Sequence, residues 1–381
     1  MSVAANADPA GRLRVCFLTT HYAEYGLSLA AALAQHAEVL VVASEENVRM
    51  EMGSAALAGG AGLPPPHVLY RTRSPLSIAR QAWALVRAVR RFAPDVIHVQ
   101  EDSKDVLALA LPLLPRRPLV LTMHDPRPHA GADTAAYKRS RHAMYFAQLR
   151  RRADAMVVHG QRLVDEARQA VDGRPIPITV APHGPLGHRG SGAPAVAAEP
   201  GRCLFFGRIQ AYKGLDLFVA AIERLADAGV PVRGVVAGRG PALEPLRVKL
   251  STDDRFELID TFLTPQQAVQ QFQRAQVVLM PYREATQSGV AAFAMGVGRP
   301  VVAFDVGALR ESVIHGETGL LAPAGDLQAF VGAAEQVLTN GALARELGAG
   351  ALALGRGAFS WDAIAHIHLG LYRELSAAPR R

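Results

Sequence analysis

The 381-residue chain is poor in several features, and each shortage excludes a class of protein. Two cysteines cannot staple a disulfide scaffold, and their place in apolar runs predicts buried free thiols and a reducing, cytoplasmic compartment. No apolar run approaches the ~20 residues that span a bilayer, and the N-terminus lacks the apolar core of a signal peptide. With 50% hydrophobic and only 20% charged residues, the chain can nevertheless bury sizeable cores.

The charge is distributed unevenly. Residues 1–190 hold 23 Lys and Arg against 16 Asp and Glu, whereas residues 191–381 hold 18 of each kind. The N-terminal half is therefore expected to meet an anionic partner, such as acidic lipid, a phosphorylated substrate or nucleic acid. We exclude nucleic acid, because no recognised binding motif is present and half of the chain has no positive excess.

Two predicted helices of the N-terminal half combine basic with aromatic residues, namely Trp83 in the first and Tyr145 and Phe146 in the second. Such helices can rest on an anionic membrane surface. An ordinary amphipathic helix with arginines in water gives the same pattern, and both interpretations stay open. The basic residues concerned are Arg80, Arg87, Arg90, Arg91, Lys138, Arg139, Arg141, Arg150, Arg151 and Arg152.

Short apolar runs typical of strands alternate with helical patterns along the whole chain. The runs are continuously apolar, which is typical of parallel strands buried on both faces. The pattern predicts an α/β fold of two doubly wound, Rossmann-like domains. Strands are predicted at 14–18, 39–42, 96–99, 119–122, 155–158, 178–181, 203–206, 232–237, 256–259, 277–280, 301–304 and 319–321. Helices are predicted at 28–36, 76–92, 137–152, 161–170, 215–228, 244–250, 265–274, 290–296, 327–338 and 343–354.

A stretch without periodicity separates the two domains. Residues 184–200 are rich in Gly, Pro and Ala, which is typical of a linker. We predict an N-terminal domain at 1–190, a linker at 191–200 and a C-terminal domain at 201–359. Ligands of doubly wound sheets bind outside the carboxyl ends of the strands, so the site is expected in the crevice there.

Two strand-to-helix loops of the C-terminal half are suited to a diphosphate. The first runs from Gly207 to Gly214 and carries Arg208 and Lys213, a guanidinium fork and a point charge that can clamp an anion. In the second, Ser288 and Gly289 open an apolar helix whose unpaired amides attract anions. Solvated surface cations and ordinary capping by Ser288 are the alternatives; the presence of both segments favours the diphosphate.

These segments, in this order, resemble the C-terminal domain of family 4 glycosyltransferases, which have the GT-B fold. That family carries G-R-x-x-x-x-K-G after the first strand of the domain, and Arg208 and Lys213 match its diphosphate-binding pair. The later blocks at 298–303, 305–311 and 316–321 match its G-x-P-V-V-A, D-x-G-G-x-x-E and G-x-x-G-L-L patterns. The resemblance extends over nearly the whole chain and is specific in the C-terminal half.

The resemblance implies two domains facing across a cleft and a final helix, about 360–376, that packs back on the N-terminal domain. It implies transfer of a hexose from a UDP- or GDP-sugar to a hydroxyl acceptor, with retained anomeric configuration and without metal or cofactor. Polysaccharide, glycolipid or other glycoconjugate synthesis fits, on the cytoplasmic side of a membrane. The alternatives are a nucleotide-sugar epimerase and a non-catalytic nucleotide-sugar or polyanion-binding protein.

One departure bears on the donor. The family usually has two glutamates eight positions apart, but Ala285 and Phe293 occupy those places and Glu284 is one residue out of register. The loop Ala285-Thr286-Gln287-Ser288-Gly289-Val290 instead looks like a subgroup with an A-T-Q-S-G-V loop. We therefore expect donor contacts from Glu284 and Gln287, and by resemblance from the G-x-G-P loop of Gly238 and Gly240.

The N-terminal half supplies the predicted reacting side. His124 follows a parallel strand, where it is expected to face the crevice, and it matches the family's active-site histidine. Asp125 is expected to orient that ring or to cap the loop. Gly26 stands where the family has a Gly-Gly pair close to the donor phosphates. Three further histidines are weaker candidates: His21, His129 and His183.

Overall fold

The computed structural model describes residues 11–59, 65–102, 104–126, 141–187 and 196–378, and it contains two parallel sheets. The first has seven strands in the order β3-β2-β1-β4-β5-β6-β7. Its strands are β1 Arg14–Thr19, β2 Glu38–Ser44, β3 His67–Leu69, β4 Val96–Gln100, β5 Leu119–Thr122, β6 Ala155–Val158 and β7 Ile178–Val180. Its helices are α1 Ala23–Leu33, α2 Glu45–Met52, α3 Pro75–Phe92, α4 Asp105–Ala110, α5 Arg141–Arg152 and α6 Val164–Ala170.

The second sheet has six strands in the order β10-β9-β8-β11-β12-β13. Its strands are β8 Arg202–Phe206, β9 Arg233–Ala237, β10 Phe256–Ile259, β11 Val277–Met280, β12 Val301–Phe304 and β13 Gly319–Ala322. The helices around it are α7 Leu215–Asp227, α8 Arg247–Thr252, α9 Pro265–Arg274, α10 Gly289–Val297, α11 Leu309–Ser312, α12 Leu327–Thr339 and α13 Gly341–Arg356. A last helix, α14, runs from Trp361 to Ala377.

Both sheets reverse their strand order at one place, which locates a crevice in each. The order turns between β1 and β4 in the first sheet and between β8 and β11 in the second. Loops that leave the carboxyl ends of two such strands diverge to opposite faces of the sheet and leave room for a ligand. The α/β fold expected from the continuous apolar runs is confirmed.

The main errors of the sequence-based assignment have a common cause. Helix α1 begins at Ala23, five residues before the predicted start, and all of its residues are buried, so that no apolar period marks it. The short edge strand β3 and helices α2 and α4 were missed; α2 is mostly charged and polar. Only residues 141–152 of the helix predicted at 137–152 lie within the described residues.

Helix α14 returns to the first sheet and packs against α1. The Trp361 ring lies 5.2 Å from the Tyr25 ring, centroid to centroid, and its Nε1 donates to Pro185 O at 3.0 Å. Gly184 lies against the indole so closely that a Cβ there would come within 2.6 Å of it. After forming the second sheet, the chain therefore ends against the first sheet. The domain boundary near 191–200 stays a prediction.

The carboxylate of Glu311, a residue beside the second sheet, caps a helical turn that lies beside the first sheet. Glu311 of α11 accepts the backbone N–H groups of Gln161 and Arg162, at 2.6 and 3.0 Å. Arg162 in turn donates from Nη1 to Gly307 O at 3.1 Å. Because these N–H groups begin the helical segment that leads into α6, the negative charge also meets the positive end of a helix dipole.

Replacing Glu311 by Ala should weaken the contact between the two halves of the chain. Loss of a charged acceptor for two N–H groups should lower the free energy of unfolding by about 1.5–3 kcal/mol, and small-angle scattering should show a larger radius of gyration. The matched control is Glu317→Ala, which removes an exposed carboxylate from the next loop. Equal unfolding curves and equal radii for the two variants would show that this contact does not hold the halves together.

Candidate active site

A cavity of about 380 Å³ lies between the two sheets, at the carboxyl ends of their strands. It is formed by the loop after β1, by α2 and by the two loops that the sequence predicted for a diphosphate. The residues used below that line it are Tyr22, Glu24, Glu51, Asp125, Gly207, Arg208, Lys213, Tyr282, Gln287, Ser288 and Gly289. The expected crevice site is therefore formed from both halves of the chain.

Lys213 and Arg208 meet in this cavity. Lys213 is buried, its Nζ donates to Phe206 O at 3.2 Å, and it lies 5.3 Å from the centre of the Tyr282 ring. Burial, and secondarily the Arg208 charge, lowers the pKa of Lys213 to about 7. Gly207 has a φ of 100°, a conformation that favours glycine, and a Cβ there would lie 2.9 Å from Lys213 Nζ, so that a larger residue would also displace the amine.

Arg208 is the exposed member of the pair, and its guanidinium contacts no carboxylate in the part of the chain that the structure describes. Two cations side by side, one buried and neither neutralised, repel each other and favour an anion between them. The predicted diphosphate pair is thus brought to one cavity, and its role there stays a prediction.

The helix start at Ser288 is capped by its own side chain and also lies at the cavity; its binding of an anion stays a prediction. Ser288 Oγ accepts from the backbone N–H of Val290 at 3.2 Å and of Ala291 at 3.4 Å, which is ordinary N-capping. The N–H of Gly289, the first residue of α10, has no acceptor among the described residues and lies at the cavity. The Gly289 amide is therefore available to an anion.

The expected donor contacts divide into two groups. Gln287 lines the cavity, and its Oε1 is buried without a donor among the described residues. Glu284 is not among the residues that line the cavity. Gly238 and Gly240 do not line it either, because they pack on the loop of Arg208: a Cβ there would come within 1.9 Å of Gly207 O and 2.0 Å of Ile209 O. Those two glycines support the loop from behind.

Gly26 does not take the place expected for it. It lies within α1 and packs on β1 so closely that a Cβ would come within 1.9 Å of Thr19 Oγ1. Its N–H donates to Tyr22 O at 2.9 Å and is therefore not free for a phosphate. This placement contradicts a diphosphate contact, because a glycine at this helix position serves close packing.

His124 follows β5, as predicted, and belongs to a buried group of histidines. His159 Nδ1 lies 3.0 Å from Ala181 O, which can only accept, and so it carries the proton. Burial lowers the pKa of His159 to about 3, which leaves its Nε2 bare to accept from His124 Nδ1 at 3.1 Å. Burial and then His159 hold the pKa of His124 well below its ordinary value, so this ring is neutral too.

The other nitrogen of His124 faces Gln100. The Gln100 carboxamide oxygen lies 3.1 Å from His124 Nε2, while the NH₂ group of the same amide is buried without an acceptor among the described residues. Because a neutral His124 protonated on Nδ1 has a bare Nε2, turning the carboxamide over gives a proper donor–acceptor pair. Both nitrogens of His124 therefore have internal partners.

Tyr22 lies between His124 and the cavity. The two ring centroids are 4.0 Å apart with planes tilted by 33°, and His124 is only 2% exposed. Tyr22 has a left-handed backbone, with φ 53° and ψ 56°, which is unfavourable for a bulky residue. The expectation that His124 itself faces the crevice is thus wrong for this conformation, since Tyr22 is the residue that lines it.

Asp125 lines the cavity beside Tyr22 and accepts a hydrogen bond from the other half of the chain. Its Oδ1 accepts the hydroxyl hydrogen of Thr286, which belongs to the loop before α10. Asp125 therefore links the two halves of the chain. The weaker candidates differ in position: His183 is buried with Nδ1 2.8 Å from Gly184 O, His21 is exposed beside Tyr22, and His129 lies outside the described residues.

Two carboxylates of the cavity were missed by sequence reasoning. Glu24 Oε1 accepts the N–H of Gly187 at 2.6 Å, and Glu51 Oε2 accepts the N–H of Glu24 at 3.0 Å. Glu51 lies on α2, a helix that shows no apolar period, so no pattern marked it. A carboxylate at the wall of a polar cavity can accept hydrogen bonds from hydroxyl groups.

One group of possible metal ligands lies away from this cavity. His36 Nε2 is 2.9 Å from Asp362 Oδ1, and His366 Nδ1 is 3.6 Å from Asp362 Oδ2. Among the described residues this is the one set of three His, Cys, Asp or Glu side chains close enough to share an ion. None of the three lines the cavity, and His36 lies 326 residues before Asp362, which explains why spacing did not indicate the group.

Two family models match the chain. The model for Glycosyltransferase Family 4 matches residues 23–184, and that for Glycosyl transferases group 1 matches residues 200–340. The chain belongs to family 4 of the glycosyltransferases, as the motifs around Arg208 and Lys213 indicated. The subgroup suggested by the A-T-Q-S-G-V loop stays a prediction. Within the described residues, no helix is long and apolar enough to cross a bilayer.

Named relatives match parts of the chain. The 2-deoxystreptamine N-acetyl-D-glucosaminyltransferase of Streptomyces fradiae is 31% identical over 66% of this chain and 64% of its own length. A D-inositol 3-phosphate glycosyltransferase of Mycobacteroides abscessus is 35% identical over 46% of this chain and 41% of its own length. The chain thus spans less than two thirds of these curated relatives.

Solved structures share the fold over nearly the whole chain. Sucrose-phosphate synthase from Thermosynechococcus elongatus matches with a TM-score of 0.66 and 21% identity, covering 97% of this chain and 100% of that one. HepE of Anabaena, solved in complex with UDP-glucose, matches with a TM-score of 0.66 and 20% identity, over 95% and 100%. These likenesses confirm the GT-B arrangement of the two sheets.

The lowered pKa of Lys213 predicts a pH-dependent affinity for a diphosphate. Below its pKa of about 7 the amine is charged and attracts the anion, and above it the amine is neutral, so affinity is lost as pH rises. The Kd of UDP-glucose, measured by calorimetry, should rise by up to about tenfold per unit between about pH 7 and pH 8.5.

The variant Lys213→Arg is the control, because a guanidinium stays charged over this range. Its Kd should be nearly independent of pH. A Kd that rises equally in the wild type and in this variant would contradict the assignment of the slope to Lys213.

Proposed function

We propose that this chain is a retaining glycosyltransferase that moves a hexose from a UDP- or GDP-sugar to a hydroxyl acceptor. The observation that carries the proposal is the convergence of Lys213, Arg208 and the Gly289 N–H on one cavity that His124 and Asp125 approach from the other sheet. Family membership supports it, as do the names of the curated relatives, which are glycosyltransferases. The structure of HepE with UDP-glucose supports a UDP-linked donor in this fold.

The cations suit the departure of a nucleoside diphosphate. Negative charge grows on the leaving diphosphate as the glycosidic bond breaks, and fixed donors aimed at it stabilise that transition state. Lys213 is held in place by Phe206 O and Tyr282 before any ligand binds, so that little reorganisation is needed. In this proposal the two cations and the Gly289 amide perform the neutralisation that a divalent ion performs in other enzymes.

His124 and Asp125 belong to the sugar and acceptor side of the proposed mechanism. Tyr22 must move off the His124 ring before a sugar can reach it, and its strained backbone lowers the cost of leaving. A sugar hydroxyl could then replace the Gln100 amide as donor to the bare Nε2. Glu24 and Glu51 are proposed acceptors for sugar or ribose hydroxyls, because the usual glutamates are absent.

Two alternatives remain under test. The missing glutamates favour a protein that binds a nucleotide sugar or a polyanion without turnover, and the shared architecture admits a nucleotide-sugar epimerase. An epimerase releases no glycosylated acceptor, and a binding protein shows no turnover at all. The products formed from a nucleotide sugar therefore separate all three.

Incubation with a panel of UDP- and GDP-sugars and hydroxyl acceptors should give a glycosylated product and free nucleoside diphosphate, detected by mass spectrometry. Excess EDTA should leave the rate unchanged. Arg208→Ala or Lys213→Ala should lower kcat by roughly 100- to 1,000-fold, the usual loss for one preorganised donor. The control Arg224→Ala removes an exposed arginine of α7 and should keep the wild-type rate.

Binding without any turnover would favour the non-catalytic alternative. Epimerised nucleotide sugar without transfer product would favour the epimerase. A strict requirement for Mg²⁺ or Mn²⁺ would contradict the role given to Arg208 and Lys213.

We also propose that α3 rests on the cytoplasmic face of an anionic membrane. Its inner face, with Leu85, Val86 and Val89, is buried on the sheet, as expected of an ordinary amphipathic helix. Its outer face nevertheless exposes Leu76 and Trp83 by 61% and 62%. The exposed arginines of α3 are Arg80, Arg87, Arg90 and Arg91.

The second basic helix, α5, is a weaker membrane candidate. Arg150 pairs with Glu101 at 2.6 Å and Arg152 with Asp154 at 3.1 Å, so these cations are engaged within the protein. Lys138 and Arg139 lie outside the described residues, as does the side chain of Arg141. The proposal therefore depends on α3.

Binding to vesicles of phosphatidylcholine and phosphatidylglycerol should weaken as salt is raised, because surface cations attract the lipid. The double variant Arg80→Gln, Arg87→Gln should need roughly thirtyfold more lipid for half-maximal binding, at ~1 kcal/mol for each of the two cations. A matched variant with Arg168→Gln and Arg224→Gln should bind as the wild type does. Equal weakening in both variants, or no binding at all, would leave the α3 arginines as a solvated face.

A further inference from the structure

A second and larger cavity, of about 790 Å³, opens beside the candidate active site in the first sheet. It lies at the carboxyl ends of β1, β2 and β3 and at the loop that leads into α4. The polar residues of its lining that are used below are Thr20, Glu46, Arg71, Arg73 and Lys104.

Three cations line this cavity against two carboxylates. Arg71 is paired with Glu46 at 2.6 Å. Arg73 and Lys104 have no ion-pair partner in the part of the chain that the structure describes. Two unpaired cations in a concave site provide the fork and the point charge that a phosphate group prefers.

Much of the remaining wall is apolar. Leu69 and Val106 are buried at the base, and Ile78 of α3 adds to the side. Tyr70 and Leu109 stand at the rim with 57% and 52% of their surface exposed. Large exposed apolar side chains at the mouth of a cavity are typical of a binding site, so the occupant has an apolar part as well as an anionic one.

This cavity and the cavity of the candidate active site are lined in part by the same elements. Thr20 lines the larger cavity, and Tyr22, two residues on, lines the smaller one. Helix α2 contributes Glu46 to the first and Glu51 to the second. A molecule held by Arg73 and Lys104 can therefore extend a hydroxyl group towards Tyr22, behind which His124 lies.

We infer that the larger cavity binds the acceptor through a phosphate group, held by Arg73 and Lys104 with Arg71 beside them. Its role as the acceptor site rests on the proposed function, whereas phosphate binding does not. The phosphate belongs either to a water-soluble phosphorylated polyol or to the head group of a phospholipid that approaches past Tyr70 and Leu109.

Two binding measurements on the whole protein separate these sources. In solution, calorimetry with glycerol 3-phosphate, and with glycerol as the uncharged control, tests the soluble source. On membranes, flotation compares phosphatidylcholine vesicles charged with phosphatidic acid against vesicles charged equally with oleic acid, which has no phosphate. Preference for phosphatidic acid indicates the lipid source, because attraction by α3 is the same for both vesicles.

The double variant Arg73→Gln, Lys104→Gln should weaken whichever phosphate interaction the wild type shows by roughly tenfold or more. The charge-matched variant Arg80→Gln, Arg87→Gln should weaken both kinds of vesicle binding equally and leave glycerol 3-phosphate binding unchanged. Both variants should bind UDP-glucose as the wild type does, because they leave Arg208 and Lys213 intact.

Absence of both phosphate interactions in the wild type would overturn the inference, as would equal phosphate binding by the wild type and the Arg73→Gln, Lys104→Gln variant. Failure of the wild type to bind UDP-glucose would instead contradict the proposed function. That result leaves the phosphate measurements readable, since neither of them uses a nucleotide sugar.

Discussion

The buried amine of Lys213 beside the Arg208 guanidinium is the constraint on which the site depends. Neither cation meets a carboxylate among the described residues, and burial lowers the pKa of Lys213 to about 7. The fold holds this unfavourable pair through small residues rather than countercharges. Gly207 leaves room for the amine, while Gly238 and Gly240 let the next loop support the Arg208 loop from behind. Two neighbouring cations without a carboxylate partner favour the binding of an anion between them.

The second requirement is that two sheets meet. The cavity combines Tyr22 and Asp125 of the first half with Arg208 and Ser288 of the second, so it exists only while the halves are docked. Polar contacts between them include Glu311 on the turn before α6 and Thr286 on Asp125, and the apolar packing of α14 on α1 adds to these. Interfaces between domains of one chain commonly permit relative movement. Opening would expose the cations to an entering donor, and closing would bring the reacting side over it. Movement of the Tyr22 ring off His124 would then be a local step in addition to this movement of the two halves.

Much of this arrangement was predictable from sequence, for reasons that lie in the chemistry of the chain. Continuous apolar runs indicated buried parallel strands, and the spacing of Arg208 and Lys213 between a strand and a helix indicated an anion clamp. The predictions that failed are those that depended on which residues are neighbours in three dimensions. Glu51 sits on a helix without an apolar period, Gly26 packs on Thr19 instead of facing a ligand, and the ring of Tyr22 covers His124. A residue's position at a strand end predicts which edge it occupies. It does not predict what stacks on it.

The central claim is that Lys213, Arg208 and the Gly289 amide hold the diphosphate of a nucleotide sugar. A crystal structure of the protein with UDP tests it most directly. We expect the β-phosphate within hydrogen-bond distance, about 2.7–3.2 Å, of Lys213 Nζ and of the Gly289 N–H, with the Arg208 guanidinium turned towards it. UDP bound elsewhere, for example in the cavity of Arg73 and Lys104, while Lys213 keeps Phe206 O as its hydrogen-bond acceptor, would contradict it.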